Sequence, residues 1–222
     1  MQDARWGEVD RYLADTFVPD DESFAHALAA SDAAGLPAIQ VSPPQGHWLE
    51  LLARSVRARR VLEIGTLGGY STLWLARGVA PAGRIVTLEV EARHAQVARA
   101  NFAHAGVADR IELRLGPARD TLAHLAAAGV APFDLIFVDA DKPSLPEYFT
   151  ASLALSSPGT VIVVDNVIRD GEVVRADSAD PSVQGVRRMN ELVAREPRVS
   201  ATALQTVGAK GYDGFAFILV ER

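Results

Sequence analysis

The chain contains no cysteine, which excludes disulfide bonds and thiolate metal sites and leaves oxygen or histidine for any metal. No apolar run approaches the ~20 residues a membrane helix requires. The N-terminal stretch Met1-Gln2-Asp3-Ala4-Arg5-Trp6 lacks an apolar core of signal-peptide type. Basic residues are outnumbered, 22 Lys and Arg against 28 Asp and Glu, and no basic stripe stands out for a nucleic acid. Internal repeats, low-complexity tracts and linkers are likewise missing. The expectation is a soluble cytoplasmic protein without a membrane or nucleic-acid partner. What is present, 222 residues with 49% hydrophobic and 23% charged, suits one globular α/β domain.

Residues 6–34 read as helical, with Trp6, Val9, Leu13 and Phe17 forming an apolar stripe, an interruption at Pro19 and a stop at Gly35 and Pro37. A further helix spans 45–56. From Arg60 the pattern changes to strand, turn and helix in rotation. Strand-like runs cover 61–64, 85–88, 111–115, 135–138 and 161–164, with helical stretches at 71–80, 91–105 and 119–128 between the first four. Gly106 and Gly129 fall at helix ends. Strands apolar on both faces and alternating with helices indicate a parallel sheet covered on both sides. Two last strands, 202–207 and 215–220, flank a loop too short for a crossover, so they form an antiparallel pair. The chain divides into an N-terminal helical extension, 1–57, and a core, 58–222.

Chemistry concentrates where the apolar runs stop. Phe137-Val138-Asp139-Ala140-Asp141-Lys142 and Val164-Asp165-Asn166 each place carboxylates at the end of a strand, and in open parallel sheets ligands bind at those ends. Adjacent strands would bring Asp139, Asp165 and Asn166 together as hard oxygen donors for Mg²⁺ or a similar cation, with Lys142 at the same edge. Singly, each cluster is equally well a solvated strand end or a turn; together, beside a glycine turn, those bland readings weaken. That turn, Gly65-Thr66-Leu67-Gly68-Gly69, fails the G-x-G-x-x-G dinucleotide spacing. Glu63 before it suits a ligand with an ammonium group, and Glu89 suits a ribose diol. Together they favour S-adenosylmethionine (SAM) over NAD. The five histidines show no metal-ligand spacing, and Ser71 lacks a nucleophile elbow. Trp6, Tyr12 and Trp48 read as core or interface residues.

The string from Val61 to Thr72, Asp139-Ala140-Asp141-Lys142, Asp165-Asn166 and the closing 205–215 segment strongly resemble the cation-dependent O-methyltransferases of caffeoyl-CoA and catechol O-methyltransferase type. The resemblance runs from about Val41 to Val220. It implies a Rossmann-like class I methyltransferase fold, with a seven-stranded, mostly parallel sheet, an antiparallel final hairpin and helices on both faces. It also implies that Val41, Glu63, Gly65, Thr66 and Ser71 hold the methionine part of SAM, Glu89 the ribose and Ala118 the adenine. Asp139, Asp165 and Asn166 would hold Mg²⁺ (or Mn²⁺ or Ca²⁺), with Asp139 also near the cofactor, and Lys142 would be the base. Asp141 and Asp170 fall at substrate-contact positions. The implied reaction is methyl transfer to one hydroxyl of a catechol-type small molecule by a homodimer. A hydrolase on the same fold lacks a water-activating histidine or a second carboxylate cluster. A non-catalytic SAM-binding or interaction protein would be expected to lack Lys142 or a metal ligand.

Overall fold

The computed structural model describes residues 4–222, so the first three residues of the N-terminal stretch lie outside it. Three helices come first: α1 (Ala4–Phe17), α2 (Glu22–Ala33) and α3 (Pro43–Ser55). The alternating part follows as β1 (Arg60–Ile64), α4 (Tyr70–Gly78), β2 (Arg84–Glu89), α5 (Ala92–His104), β3 (Ile111–Leu115), α6 (Ala118–Ala127), β4 (Leu135–Val138), α7 (Leu145–Ala154) and β5 (Val161–Asp165). It closes with α8 (Pro181–Arg195), β6 (Val199–Gly208) and β7 (Gly211–Val220).

All seven strands form one sheet in the order β3-β2-β1-β4-β5-β7-β6. The first five run parallel, and β7 is antiparallel to both β5 and β6. The expected fold class is therefore what the chain adopts. The final loop is shorter than the sequence pattern suggested: β6 and β7 extend until only Ala209 and Lys210 separate them. Helices α7 and α8 lie outside the helical stretches read from sequence. Both carry proline in the first turn, where its missing N–H costs nothing but where it also mimics a loop signal.

Alternation along the buried strands feeds two cores. Leu62, Ile64, Ile136 and Val138 face one cluster with Leu122, Phe149 and Met189 from α6, α7 and α8. Val61, Ile85, Leu135 and Phe137 face the other, with Leu49, Trp74 and Phe102 from α3, α4 and α5. Helix α3 therefore packs into the main core, while α1 is more peripheral. Its expected apolar stripe is covered only in part: Val9 and Phe17 are exposed, and so is Tyr12. Trp48 packs against Phe215 with ring centroids 4.6 Å apart.

Strand order reverses beside β1, whose neighbours β2 and β4 lead to opposite sheet edges. Such a switch point opens a crevice at the carboxyl ends of the strands. Gly65 makes the exit from β1 possible. Its φ is +100°, and a Cβ there would lie 2.0 Å from the Asp139 carbonyl oxygen, so no larger residue fits between the ends of β1 and β4.

Candidate active site

A cavity of about 770 Å³ occupies this crevice, within the size range of small-molecule sites. One wall is the turn after β1, with Gly65, Thr66, Tyr70 and Ser71; another is Glu89 to Glu91 after β2, with His94. Gly116 to Arg119 line it after β3, Asp139 to Ser144 after β4, and Asn166 and Arg169 after β5. Val41 closes it from the segment before α3. Of the residues singled out in the sequence, Val41, Gly65, Thr66, Ser71, Glu89, Ala118, Asp139, Asp141, Lys142 and Asn166 all line this space.

Glu63, Asp165 and Asp170 are not among the lining residues. Glu63 is fully buried, on the face of β1 that also carries Val61, with its carboxyl directed to α4. Its carboxyl accepts hydrogen bonds from Ser71 Oγ at 2.6 Å and Thr87 Oγ1 at 2.6 Å, and a short one from Thr72 Oγ1. Burial pushes its pKa up to about 7, with the three hydroxyl donors opposing that rise and the Asp139 charge adding to it. Glu63 therefore meets the cavity through the Ser71 hydroxyl.

Glu89 is buried at the cavity edge. Its Oε2 accepts the Leu67 N–H at 2.7 Å, and its Oε1 accepts those of Val90 at 2.8 Å and Glu91 at 2.9 Å. The carboxylate thus clamps the turn after β1 to the turn after β2. Three of its roughly four lone-pair sites are taken, leaving less capacity for a diol than a free carboxylate would offer.

Asp139 and Asp165 end adjacent strands, and each is tethered. Lys142 Nζ donates to Asp139 Oδ1 at 3.0 Å, with the lysine itself buried. Asp165 Oδ1 accepts the Asn166 N–H at 2.9 Å, and its Oδ2 accepts Gln45 Nε2 at 2.7 Å. Burial and then the Asp139 charge push Asp165 up to about 7, against the pull of Lys142, Asn166 and Gln45. A divalent cation fits this arrangement, because a buried carboxyl pressed by a second one is relieved by added positive charge. The donors are all oxygen, as a hard cation prefers. Among the described residues no group of three or more His, Cys, Asp or Glu could hold a metal; the cluster offers two carboxylates and the Asn166 amide.

Asp141 serves the protein's own structure as well as lining the cavity. Burial alone would raise its carboxyl, but hydrogen bonds from Ser144 and Tyr148 outweigh this and hold it below the ordinary range. The short helical turn it caps, Lys142–Ser144, is pressed by α8: a Cβ on Gly185 would lie 2.1 Å from the Lys142 carbonyl oxygen. After β5, Asn166, Arg169 and Asp170 all have left-handed backbones, with φ of +58°, +55° and +55°. Asp213 on β7 secures this loop by accepting the Ile168 and Arg169 N–H groups at 2.9 and 3.0 Å. The loop carries Arg169, not Asp170, into the cavity wall.

Gln45, His94, Arg119, Arg169 and Lys210 escape a reading based on sequence alone. Lys210 sits exposed in the β6–β7 turn, donating to the Ala38 carbonyl at 3.1 Å. Partial desolvation of its ammonium by the neighbouring chain lowers its pKa, with the charges of Asp139 and Asp165 pulling the other way.

A seven-stranded sheet of this order, with its cavity at the β1–β4 switch point, is the fold of the Rossmann-like methyltransferases. The family model for O-methyltransferases matches residues 19–216, and the chain belongs to that family. A catechol O-methyltransferase of Mycobacterium tuberculosis is 55% identical over 213 residues, covering 96% of this chain and 95% of that one. A catechol O-methyltransferase of Niastella koreensis is 47% identical, covering 100% of both. Among solved structures, the O-methyltransferase of Bacillus cereus in complex with SAH superposes with a TM-score of 0.96 at 54% identity, over 98% of this chain and 99% of that one. An O-methyltransferase of Streptomyces achromogenes in complex with SAM gives 0.96 at 51% identity, over 100% of both.

Proposed function

We propose that the protein transfers the methyl group of SAM to one hydroxyl of a vicinal aromatic diol, with Mg²⁺ or a similar divalent cation bound at Asp139, Asp165 and Asn166. The observation that carries this reading is the meeting of two hard-oxygen strand ends and a buried lysine at a cavity that is also lined by the turn after β1. Support also comes from relatives described as catechol O-methyltransferases and neighbours solved with SAH or SAM.

When bound, the cation supplies Lewis acidity that favours ionisation of a coordinated hydroxyl, and SAM supplies an activated sulfonium methyl. The chain's residues hold and align. Ser71, backed by Glu63, meets the ammonium of the methionine part, with Val41, Gly65 and Thr66 around it. Glu89 takes a ribose hydroxyl, and Ala118 meets the adenine. Lys142, held at 3.0 Å from Asp139, would act as the neutral amine, taking the proton of the attacking hydroxyl onto the Nζ lone pair. Asp141 and Asp170 shape the acceptor end, Asp141 from the wall and Asp170 by positioning its neighbour Arg169. Alignment of oxygen, methyl and sulfur is the protein's main contribution, because the methyl is already a good electrophile. A second copy of the chain would cover the exposed Val9, Tyr12 and Phe17 of α1.

The test is a pair of variants assayed with catechol and methyl-labelled SAM. Asp165→Ala should lose turnover, and high Mg²⁺ should restore it only in part. Lys142→Ala should keep SAM binding while kcat falls by roughly 10²–10⁴-fold, the loss easing at high pH. Wild-type rates in both variants would contradict the reading.

A further inference from the structure

Asp165 receives a hydrogen bond from far away in the sequence. Gln45, 120 positions earlier in the first turn of α3, donates Nε2 to its Oδ2 at 2.7 Å. The platform carrying Gln45 is closely constrained. Ser42 caps the helix by accepting the Gln45 N–H at 3.4 Å, and Pro43 and Pro44 fix the backbone of its first positions. The next residue, Gly46, is pressed so flat against Trp74 that a Cβ there would lie 2.3 Å from the indole ring. One turn further, Glu50 is buried and pairs with Arg77 Nε at 3.4 Å on α4. The start of α3 can neither slide nor rotate without breaking these contacts.

The consequence falls on the carboxylate. Each oxygen of Asp165 has one partner, Asn166 N–H on Oδ1 and Gln45 Nε2 on Oδ2, and so retains one unfilled lone pair. A carboxylate held at both oxygens cannot turn about its terminal bond. The Asn166 N–H alone, donated from the adjacent residue, would leave that rotation much freer. Gln45 does not line the cavity and so acts on the site through Asp165.

We propose that Gln45 is the positioning residue for Asp165, setting the rotation of its carboxylate so that a divalent cation meets a preformed ligand. This rests on the metal-dependent reading above, and it gives helix α3 a role in the metal site. Hydrogen-bonded partners of metal ligands typically contribute 10- to 100-fold to metal affinity.

The experiment is a titration of the purified full-length chain with Mn²⁺, followed by the electron paramagnetic resonance of the free ion. It compares wild type, Gln45→Met, which keeps the volume without the donor, and Gln45→Asn, which keeps the amide but is too short to reach. Both variants should bind Mn²⁺ roughly 10- to 100-fold more weakly. SAM affinity should stay near wild type, and turnover should approach wild type once Mg²⁺ is saturating. Unchanged or tighter Mn²⁺ binding in the variants beside clear wild-type binding would overturn the role of Gln45 alone. No Mn²⁺ binding by the wild type would overturn the metal-dependent reading, and this inference with it. Thermal unfolding of each variant identifies a folding defect, and Gln45→Asn decides the question if Gln45→Met unfolds.

Discussion

Glu63 gives the protein a pH-dependent stability that one substitution should remove. The carboxyl is fully buried, and its pKa rises from an ordinary 4.5 to about 7, chiefly through desolvation. Because the value is raised, the folded chain holds the proton more tightly than the unfolded chain between these two pH values. Stability must therefore fall as pH rises through that window. The full displacement corresponds to about 3 kcal/mol, a large fraction of the roughly 5–15 kcal/mol that stabilises a typical domain. Glu63→Gln keeps the shape and an acceptor for the surrounding hydroxyls but cannot ionise. Urea unfolding of both proteins from pH 4.5 to 8, with chelator present, should show the wild type losing about 3 kcal/mol more than the variant across the window. Asp165 also titrates near pH 7, but it is present in both proteins and cancels in the difference. Parallel stability curves would refute the argument, meaning that the three hydroxyl donors offset burial almost completely.

Further consequences follow from particular contacts. Glu89→Gln should weaken SAM binding by roughly 10- to 100-fold, the worth of a charge-assisted hydrogen bond, and calorimetric titration measures it. Because Glu89 also clamps Leu67 to Val90 and Glu91, amide exchange in those two turns should quicken in the same variant. Gly185→Ala puts a methyl against the Lys142 carbonyl, so kcat should drop while SAM affinity, measured by the same titration, stays within a fewfold of wild type.

The features legible in the sequence are those that local pattern determines. Strands buried on both faces read as apolar runs, and the carboxylates ending β4 and β5 stand out against them. The turn after β1 declares itself because Gly65 must lie against Asp139, a constraint only glycine meets. What escaped depends on the three-dimensional arrangement. Gln45 is an ordinary polar residue at a helix start until the fold carries it to Asp165. Glu63 is correctly placed at a strand end, but strand alternation turns it into the core, and its hydroxyl partners come from α4 (Ser71 and Thr72) and β2 (Thr87). Asp170 and Arg169 differ by one position, and only the folded loop shows that Arg169 is the one that lines the cavity. The stripe on α1 shows periodicity in Trp6, Val9, Leu13 and Phe17, but periodicity does not say what covers it. The prolines opening α7 and α8 resemble loop signals, which hides both helices.

The central claim, metal-dependent methylation of a diol, is tested most directly by transfer of label from methyl-labelled SAM to catechol. Wild-type protein is assayed as purified, after EDTA treatment, and after Mg²⁺ is returned. The account predicts a monomethylated product that disappears with EDTA and returns with Mg²⁺. Equal product formation in EDTA would contradict it.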